Sequence, residues 1–354
     1  MRCTFSRNPR VQTHSILPRL ALVSALVVGV TFAAGCGAPL PELGVAASSN
    51  LRLLVIAPHP DDESIAVGGL IQRVRSAGGV VHVVIMTSGD AFPHALETAE
   101  QITDPTPADF QWFGRVREQE SARALAHLGV DSASVTFLGF PDEGMCLLAS
   151  RYLTSRAPLV SPYTHRDLPP SEEQVIRGVE YRGSDVRREL ARILTSFKPT
   201  VVVMPDGEDE HPDHCATYVF VRAAIERLAR TNELPTPRVL RYIVHYDDWP
   251  TAESTTLLTP PDHFPEPRGH WRSLSLTDQE ARVKREALSR YATQMAVTGD
   301  FMRAMARHNE LFLQGDPVTR PECWCDSEHV ATLVPPEQRR GTPEQRRHRR
   351  RVRR

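Results

Sequence analysis

The chain has 354 residues, of which 41% are hydrophobic and 24% are charged, and this composition is typical of a globular protein. The net charge of −1 conceals an uneven distribution, because residues 1–19 carry +4, residues 339–354 carry +8 and the remainder must carry −13. Phosphate contacts supply most of the affinity for nucleic acids. The acidic body therefore argues against a nucleic-acid enzyme, and we expect no nucleic-acid partner.

The N-terminal segment has the features of an export signal. A basic start is followed by an apolar stretch from Leu20 to Gly35, which is too short for a comfortable membrane span and ends in small residues. Cys36 follows directly, and "AAGC" resembles a bacterial lipobox, whose cysteine carries lipid. We expect a lipoprotein signal peptide over residues 1–35, a flexible tether over residues 36–49, and export to the cell envelope with a lipid anchor on Cys36. A secretory signal that leaves a soluble exported protein is the alternative.

The predicted elements alternate between strand and helix along the chain. Apolar runs predict strands over residues 51–57, 80–89, 134–140, 199–205 and 239–246. Helical spacing predicts helices over residues 64–79, 113–130, 185–197 and 216–230. This alternation predicts an α/β fold over residues 50–320, with a parallel sheet and helices on both faces. Residues 145–182 are expected to form a long irregular loop, and residues 321–354 a disordered Arg-rich tail.

Polar residues cluster directly after two of these strands. The first strand ends in "PHPDDE", which contains His59, Asp61 and Asp62, and the fourth is followed by "HPDH", which contains His211 and His214. Ligands of open parallel sheets bind at the carboxyl ends of the strands. A polar turn explains one such loop, but two matching loops on one sheet favour a metal site.

The spacing of these residues suggests a ligand set. His59 and Asp62 are separated by two residues at a strand-to-helix turn, so both can face one ion. His214 is the best candidate for a third ligand. Two histidines and one carboxylate suit Zn²⁺, and the same set accommodates Fe²⁺.

The neighbouring residues have the chemistry of amide hydrolysis. Asp61 lies beside a ligand without being one, and is placed to take a proton from water. His211 can protonate the leaving amine and stabilise the oxyanion. Asp213 could orient one of the two histidines.

The two motifs resemble those of the PIG-L/LmbE family of zinc-dependent N-acetylglucosaminyl deacetylases, whose members carry "[AP]HPDDE" after the first strand and "HPDH" later. The resemblance covers roughly residues 50–315 and implies a Rossmann-like, mostly parallel sheet. It implies the same metal ligands, His59, Asp62 and His214, with Asp61 as base and His211 as acid.

The resemblance also implies a substrate side of the site. Arg117, or alternatively Arg115, would face the substrate, and Asp142 in "LGFPDEGM" would bind sugar hydroxyls with Met145 nearby. We place Asp213 with these substrate-binding residues. The run "KREALSRYATQM" over residues 284–295 resembles the C-terminal helix of the family.

The function implied by the resemblance is removal of an N-acetyl group from an amino sugar of a glycan, glycolipid or glycoconjugate. An amidase that acts on a larger amide conjugate and a catalytically silent sugar-binding lipoprotein are the alternatives. The oligomeric state stays open, as does the pairing of four cysteines, namely Cys146, Cys215, Cys323 and Cys325. We expect Cys215 to act as a small buried hydrophobic residue.

Overall fold

The computed structural model describes residues 39–317, apart from residues 46, 171, 174 and 251–255, together with Cys323. Within these residues the chain forms a seven-stranded sheet. In chain order its strands are β1 (Arg52–Ala57), β2 (Val80–Thr87), β3 (Val135–Phe140), β4 (Val201–Pro205), β5 (Arg238–Tyr242), β6 (Trp271–Ser275) and β7 (Asn309–Gln314). The predicted signal peptide, the lipidation site Cys36 and all of the predicted tail except Cys323 lie outside the described residues.

The order of the strands reverses between β1 and β4. The strands lie in the order β3-β2-β1-β4-β5-β7-β6, and the first five pair in parallel. From β1 the chain moves outward to β2 and β3, and it returns to β4 on the other side of β1. In open α/β sheets such a reversal opens a crevice at the carboxyl ends of the strands, where ligands bind. The loops after β1 and β4 therefore lie side by side at this crevice.

Helices cover both faces of the sheet. They are α1 (Asp62–Ser76), α2 (Pro93–Ala99), α3 (Pro107–His127), α4 (Met145–Ala149), α5 (Gly183–Phe197), α6 (Pro212–Arg230), α7 (Asp278–Leu288) and α8 (Ala292–Met305). Side chains alternate along β1, so Leu53 and Val55 join the apolar cluster of α1, α3, α7 and α8, whereas Leu54 and Ile56 join the cluster of α4, α5 and α6. The predicted fold class, a mostly parallel α/β sheet with helices on both faces, is confirmed. None of the described helices is long and apolar enough to span a membrane.

The structure contains two strands and a break between two helices that the sequence did not predict. The sequence predicted neither β6 nor β7, and β7 runs antiparallel to both of its neighbours. Residues 284–295, expected as one helix, contain the end of α7 and the start of α8. Tyr291 lies at the break, where its buried hydroxyl donates to Glu63 Oε1 at 2.6 Å. At this break the helical hydrogen bonds are interrupted, and the buried hydrogen bond from Tyr291 to Glu63 connects the chain to the motif after β1.

Part of the predicted tether is packed onto the sheet instead of being flexible. The N–H of Leu43 donates to Ser273 O at 2.8 Å, and the N–H of Ser273 donates to Pro41 O at 2.9 Å. Leu43 is buried. Residues 41–43 thus cover the edge strand β6, whose unpaired backbone groups would otherwise invite pairing with another chain. The folded unit begins near Leu40, ten residues before the predicted start at residue 50.

The segment 145–182 begins with α4, which the sequence did not predict. Its other described residues contain no helix or strand until α5 begins at Gly183, in agreement with the expected irregular loop.

Candidate metal centre

The two motif loops meet at the crevice between β1 and β4. After β1, residues 58–61 lead into α1, whose first residue is Asp62. After β4, residues 206–211 lead into α6, whose first turn carries His214. The structure thereby brings together His59, Asp62 and His214, although 155 positions separate the two histidines.

Donor atoms of these three residues form a small triangle. His59 Nδ1 lies 3.3 Å from Asp62 Oδ2, His214 Nε2 lies 3.1 Å from the same oxygen, and the two ring nitrogens are 3.3 Å apart. In a tetrahedral zinc site, bonds of about 2.0–2.1 Å place neighbouring ligand atoms about 3.3 Å apart. The predicted ligands therefore have the spacing of one face of a tetrahedral coordination shell, and they fit Zn²⁺ or Fe²⁺.

A buried carboxylate orients each histidine through its other ring nitrogen. His59 Nε2 lies 3.2 Å from Asp142 Oδ1, and His214 Nδ1 lies 3.1 Å from Asp209 Oδ2. Asp209 Oδ2 also accepts the backbone N–H of Val244 at 2.7 Å, which fixes the carboxylate. Such partners set the tautomer and ring orientation of metal-binding histidines. The sequence suggested Asp213 for this role, but its Oδ2 is 3.6 Å from His59 Nε2 and is farther away than Asp142 Oδ1.

The charges of the centre favour a bound cation. Burial lowers the pKa of His214, but Asp209 and Asp62 outweigh burial and raise it to about 9. Burial raises the pKa of Asp62, but His214 and His59 outweigh it and hold the pKa well below its usual value. The surrounding carboxylates thus create a negative potential at the triangle, which a divalent ion would neutralise.

Further donors surround the triangle. Among the described residues, three groups of potential ligands have donor atoms within 4.8 Å of one another, namely His59 with His211 and His214, Asp62 with His214 and His245, and His59 with Asp142 and Asp213. Each group contains His59 or His214. The described part of the chain therefore concentrates its metal donors in this one crevice.

Asp61, the predicted base, has a strained backbone. Its φ of 142° lies in a region that residues with side chains rarely adopt. The backbone N–H of Asp61 donates to Glu63 Oε2 at 3.0 Å, and its carboxylate accepts from Arg117 Nη2 at 3.1 Å. Burial raises the pKa of Asp61 to about 7 against the opposing charge of Arg117. A carboxyl group that titrates near neutral pH is suited to exchange protons with water.

Buried hydrogen bonds hold both partners of Asp61. Glu63 Oε1 accepts from Tyr291 Oη at 2.6 Å and from Ser121 Oγ at 2.7 Å. Arg117 Nη1 donates to Gly89 O at 2.8 Å. Arg117 is buried at the cleft, whereas Arg115 is exposed on the same helix, so the structure favours Arg117 of the two predicted arginines.

His211 caps α6 and presents an N–H group to the cleft. Its Nδ1 accepts the backbone N–H of Asp213 at 3.2 Å, so the neutral ring carries its proton on Nε2. Nε2 lies 3.8 Å from Glu143 Oε1. Burial and the neighbouring histidines hold the pKa of His211 well below 6.5, so the ring is neutral at neutral pH.

A cleft of about 290 Å³ opens over the metal centre. Its polar lining comes from the motif loops, α3, the turn after β3 and the segment after β5, namely His59, Asp61, Asp62, Arg117, Asp142, Glu143, His211 and His245. The lining also includes Phe92, just before α2, and Gln294, Thr298 and Phe301 of α8. Phe301 stacks on His245 with an interplanar angle of 8°. A pocket of this kind, with a few convergent polar groups beside apolar ones, is typical of small-molecule sites.

Comparison with known proteins identifies the part of the chain that carries the metal centre. Residues 54–225 match the family model described as PIG-L, GlcNAc-PI de-N-acetylase. These residues form a PIG-L family domain. The match contains both motif loops.

Relatives of the PIG-L domain carry deacetylase names. A 1D-myo-inositol 2-acetamido-2-deoxy-alpha-D-glucopyranoside deacetylase of Mycobacterium sp. (strain KMS) is 32% identical over 209 residues, 57% of this chain. The matched part spans 58% of the length of that relative. A protein of the same name from Rhodococcus opacus (strain B4) is 27% identical over 70% of this chain and 83% of its own length. A solved structure, the N,N'-diacetylchitobiose deacetylase of Pyrococcus horikoshii, has a TM-score of 0.48 and 19% identity over 81% of this chain and 87% of its own.

Two predicted substrate residues have other positions in the PIG-L domain. The side chain of Met145 is fully buried in the apolar cluster of α4, α5 and α6, so it does not line the cleft. Asp213 is also fully buried, and its carboxylate accepts the backbone N–H groups of Glu143 and Met145 at 2.8 and 3.0 Å. Asp213 therefore holds the turn after β3, while Asp142 and Arg117 line the cleft as expected.

Sequence reasoning missed several residues of the cleft. It assigned no role to Asp209, Glu143, Phe92 or Phe301. Phe92 follows the loop after β2, and Phe301 lies on α8, beyond the "KREALSRYATQM" run. Only the fold brings these two side chains to the cleft.

Cysteines on α4 and α6 form disulfides. Cys215 follows His214 and forms a disulfide with Cys323, 108 positions away. Cys146, at the start of α4, is disulfide-bonded as well. Cys215 is buried as expected, but the expectation of a simple hydrophobic residue was wrong. The disulfide also attaches Cys323, a residue of the predicted disordered tail, to the PIG-L domain.

Proposed function

We propose that this protein is a metal-dependent hydrolase that removes an N-acetyl group from the amino sugar of a glycan, glycolipid or glycoconjugate. The observation that carries the proposal is the triangle of His59, Asp62 and His214 donor atoms with the carboxylate of Asp61 beside it. The deacetylase names of the relatives support the same reaction on an N-acetylated amino sugar. Zn²⁺ is the proposed metal, and Fe²⁺ fits the same ligands.

The bound metal would polarise the amide carbonyl and lower the pKa of water. Asp61 would accept a proton from the attacking water, for which its pKa near neutral pH is suited. Arg117 holds the Asp61 carboxylate in place at 3.1 Å and lines the cleft beside it. Asp142 lies at the cleft wall, where it can accept hydrogen bonds from sugar hydroxyls.

His211 would stabilise the oxyanion that forms on the amide. Its Nε2–H faces the cleft, and a preorganised N–H donor of this kind stabilises developing negative charge. The predicted role of His211 as acid requires a second proton on the ring, which burial disfavours. Instead, the Asp61 carboxyl group can donate the proton that it took from water to the leaving amine.

Replacement of Asp61 tests the proposal. Wild-type protein loaded with zinc should release acetate and free amine from N-acetylglucosamine compounds. In Asp61→Ala, turnover should fall by about 10²–10⁴-fold, because proton transfer is lost, while the zinc content measured by mass spectrometry stays at the wild-type value. Equal turnover in an active wild type and in Asp61→Ala would contradict the role of Asp61. No turnover in either protein would contradict the proposal and would favour a silent sugar-binding protein.

We further propose that the protein is exported and anchored by lipid on Cys36. The oxidised state of Cys146 and Cys215 supports export, because disulfides persist in oxidising compartments and are rare in the cytosol. Expression of the full chain and of Cys36→Ser in bacteria, followed by detergent partition, tests the anchor. The wild-type chain should enter the detergent phase and the variant should not, and equal partition would contradict the proposal.

A further inference from the structure

A glutamate in the cleft wall has a backbone conformation that its side chain disfavours. Glu143 has a φ of 59°, in the left-handed region that favours glycine. It lies in the turn between β3 and α4, and its side chain lines the cleft. Strained residues persist only where the surroundings hold them, and at a binding site they point to function.

Two buried carboxylates hold Glu143 in this conformation. Its backbone N–H donates to Asp213 Oδ2 at 2.8 Å and lies 3.1 Å from Asp142 Oδ1. Asp213 belongs to the first turn of α6, the same turn that carries His214. The turn after β3 is therefore fixed relative to the metal centre, and Glu143 is fixed with it.

The carboxylate of Glu143 lies beside the His211 N–H group, which would face the reacting amide in the proposed function. Glu143 Oε1 is 3.8 Å from His211 Nε2, and about a quarter of the Glu143 side chain is exposed (24%). A carboxylate has acceptor positions for about four hydrogen bonds. Glu143 can therefore contact His211 and a substrate donor at the same time.

We propose that Glu143 determines which amino sugars enter the cleft, an inference that rests on the proposed deacetylase function. Its carboxylate accepts a hydrogen bond from a hydroxyl or ammonium group next to the scissile amide. Amino sugars with a carboxylate or phosphate at that place are disfavoured, because juxtaposed like charges oppose binding. The substrate class is thus an N-acetylated amino sugar that is neutral or cationic around the acetamido group.

Two substitutions separate the charge of Glu143 from its strain. Glu143→Gln keeps the size of the side chain and removes the charge. Glu143→Gly removes the side chain and suits the left-handed backbone, so its melting temperature should equal or exceed that of the wild type. Glu97→Gln, at an exposed position of α2, is the matched control.

The test compares methyl glycosides of N-acetylglucosamine and of N-acetylmuramic acid, whose carboxylate lies next to the acetamido group. The wild type and Glu97→Gln should prefer the neutral glycoside. In both Glu143 variants, the ratio of kcat/KM for the anionic to the neutral glycoside should rise about tenfold, mainly through a lower KM for the anionic one. A ratio within twofold of the wild type in both folded variants would overturn the proposal.

A binding measurement keeps this test independent of turnover. Calorimetry of both glycosides with zinc-loaded Asp61→Ala, with and without Glu143→Gln, should give the same tenfold change in the ratio of Kd values. If the wild type releases no acetate from either glycoside, the proposed deacetylase function fails, while the calorimetric ratio still supports or overturns the role of Glu143.

Discussion

At the scale of single residues, the metal centre depends on carboxylates that hold its histidines. The sequence predicted the ligands His59, Asp62 and His214. Both motifs follow apolar strands, and two loops with histidine and aspartate at the ends of strands in one sheet favour a metal site. Asp209 could not be named in this way. It is one of several acids in "DGEDE", and only the fold selects the one that faces His214 Nδ1, at 3.1 Å.

Loss of the Asp209 carboxylate should weaken metal binding. In Asp209→Asn, His214 loses the anionic partner that orients its ring, and we expect the zinc affinity to fall about 10–100-fold. Competition with a chromophoric chelator measures the change. Glu210→Gln, next in the chain but exposed, should bind zinc as the wild type does. Equal affinities of the two variants would show that Asp209 does not orient the ligand.

At the scale of elements, the sequence predicted the five parallel strands because each lies in a short, largely apolar run, and β1 and β4 are almost fully buried. It did not predict β6 and β7, which lie at one end of the sheet and pair antiparallel. The spacing of apolar residues also did not predict the break between α7 and α8. Tyr291 lies at this break and bonds to Glu63, which is far away in the chain. Long-range contacts of this kind leave no periodic signal in the chain.

A carboxyl group of the irregular segment before α5 packs against the sheet. Glu173 lies against Gly139, at the end of β3. Burial, together with the nearby Glu118 and Glu172, raises the pKa of Glu173 to about 9. The folded state therefore keeps a proton that the unfolded state loses above its usual pKa of 4.5. The stabilisation from this proton is complete below pH 4.5 and is lost as the pH rises to about 9.

Glu173→Gln should remove this pH dependence. Between pH 6 and 8, the free energy of unfolding of the wild type should fall by about 2–3 kcal/mol more than that of the variant. Urea denaturation at both pH values measures the difference. The exposed control Glu97→Gln should follow the wild type. Parallel losses in the wild type and in Glu173→Gln would mean that Glu173 is ionised in the folded state.

At the scale of the whole molecule, a disulfide joins the distant Cys323 to the helix of the metal centre. Cys215 follows the ligand His214 directly, and the bond to Cys323 closes a loop across 108 positions. The sequence left this pairing open because four cysteines allow three connectivities. The bond restricts the unfolded chain and fixes the first turn of α6, which carries the ligand.

Removal of this disulfide should destabilise the folded protein. For a loop of this length the chain-entropy model gives about 4–5 kcal/mol, and we expect a loss of about 2–5 kcal/mol in the double variant Cys215→Ser with Cys323→Ser. Thermal unfolding of the protein purified without reductant, and again after addition of a phosphine reductant, measures it. The wild type should lose more stability on reduction than the double variant does. Equal losses, or free thiols at both positions in the unreduced wild type, would contradict the disulfide.

The position of the metal ion tests the whole arrangement most directly. A crystal of the zinc-loaded protein, measured at the zinc absorption edge, should show one anomalous peak bonded to His59 Nδ1, Asp62 Oδ2 and His214 Nε2, with the Asp61 carboxylate beside it and not bonded. A peak bonded instead to His59, Asp142 and Asp213, or the absence of a peak between β1 and β4, would contradict it.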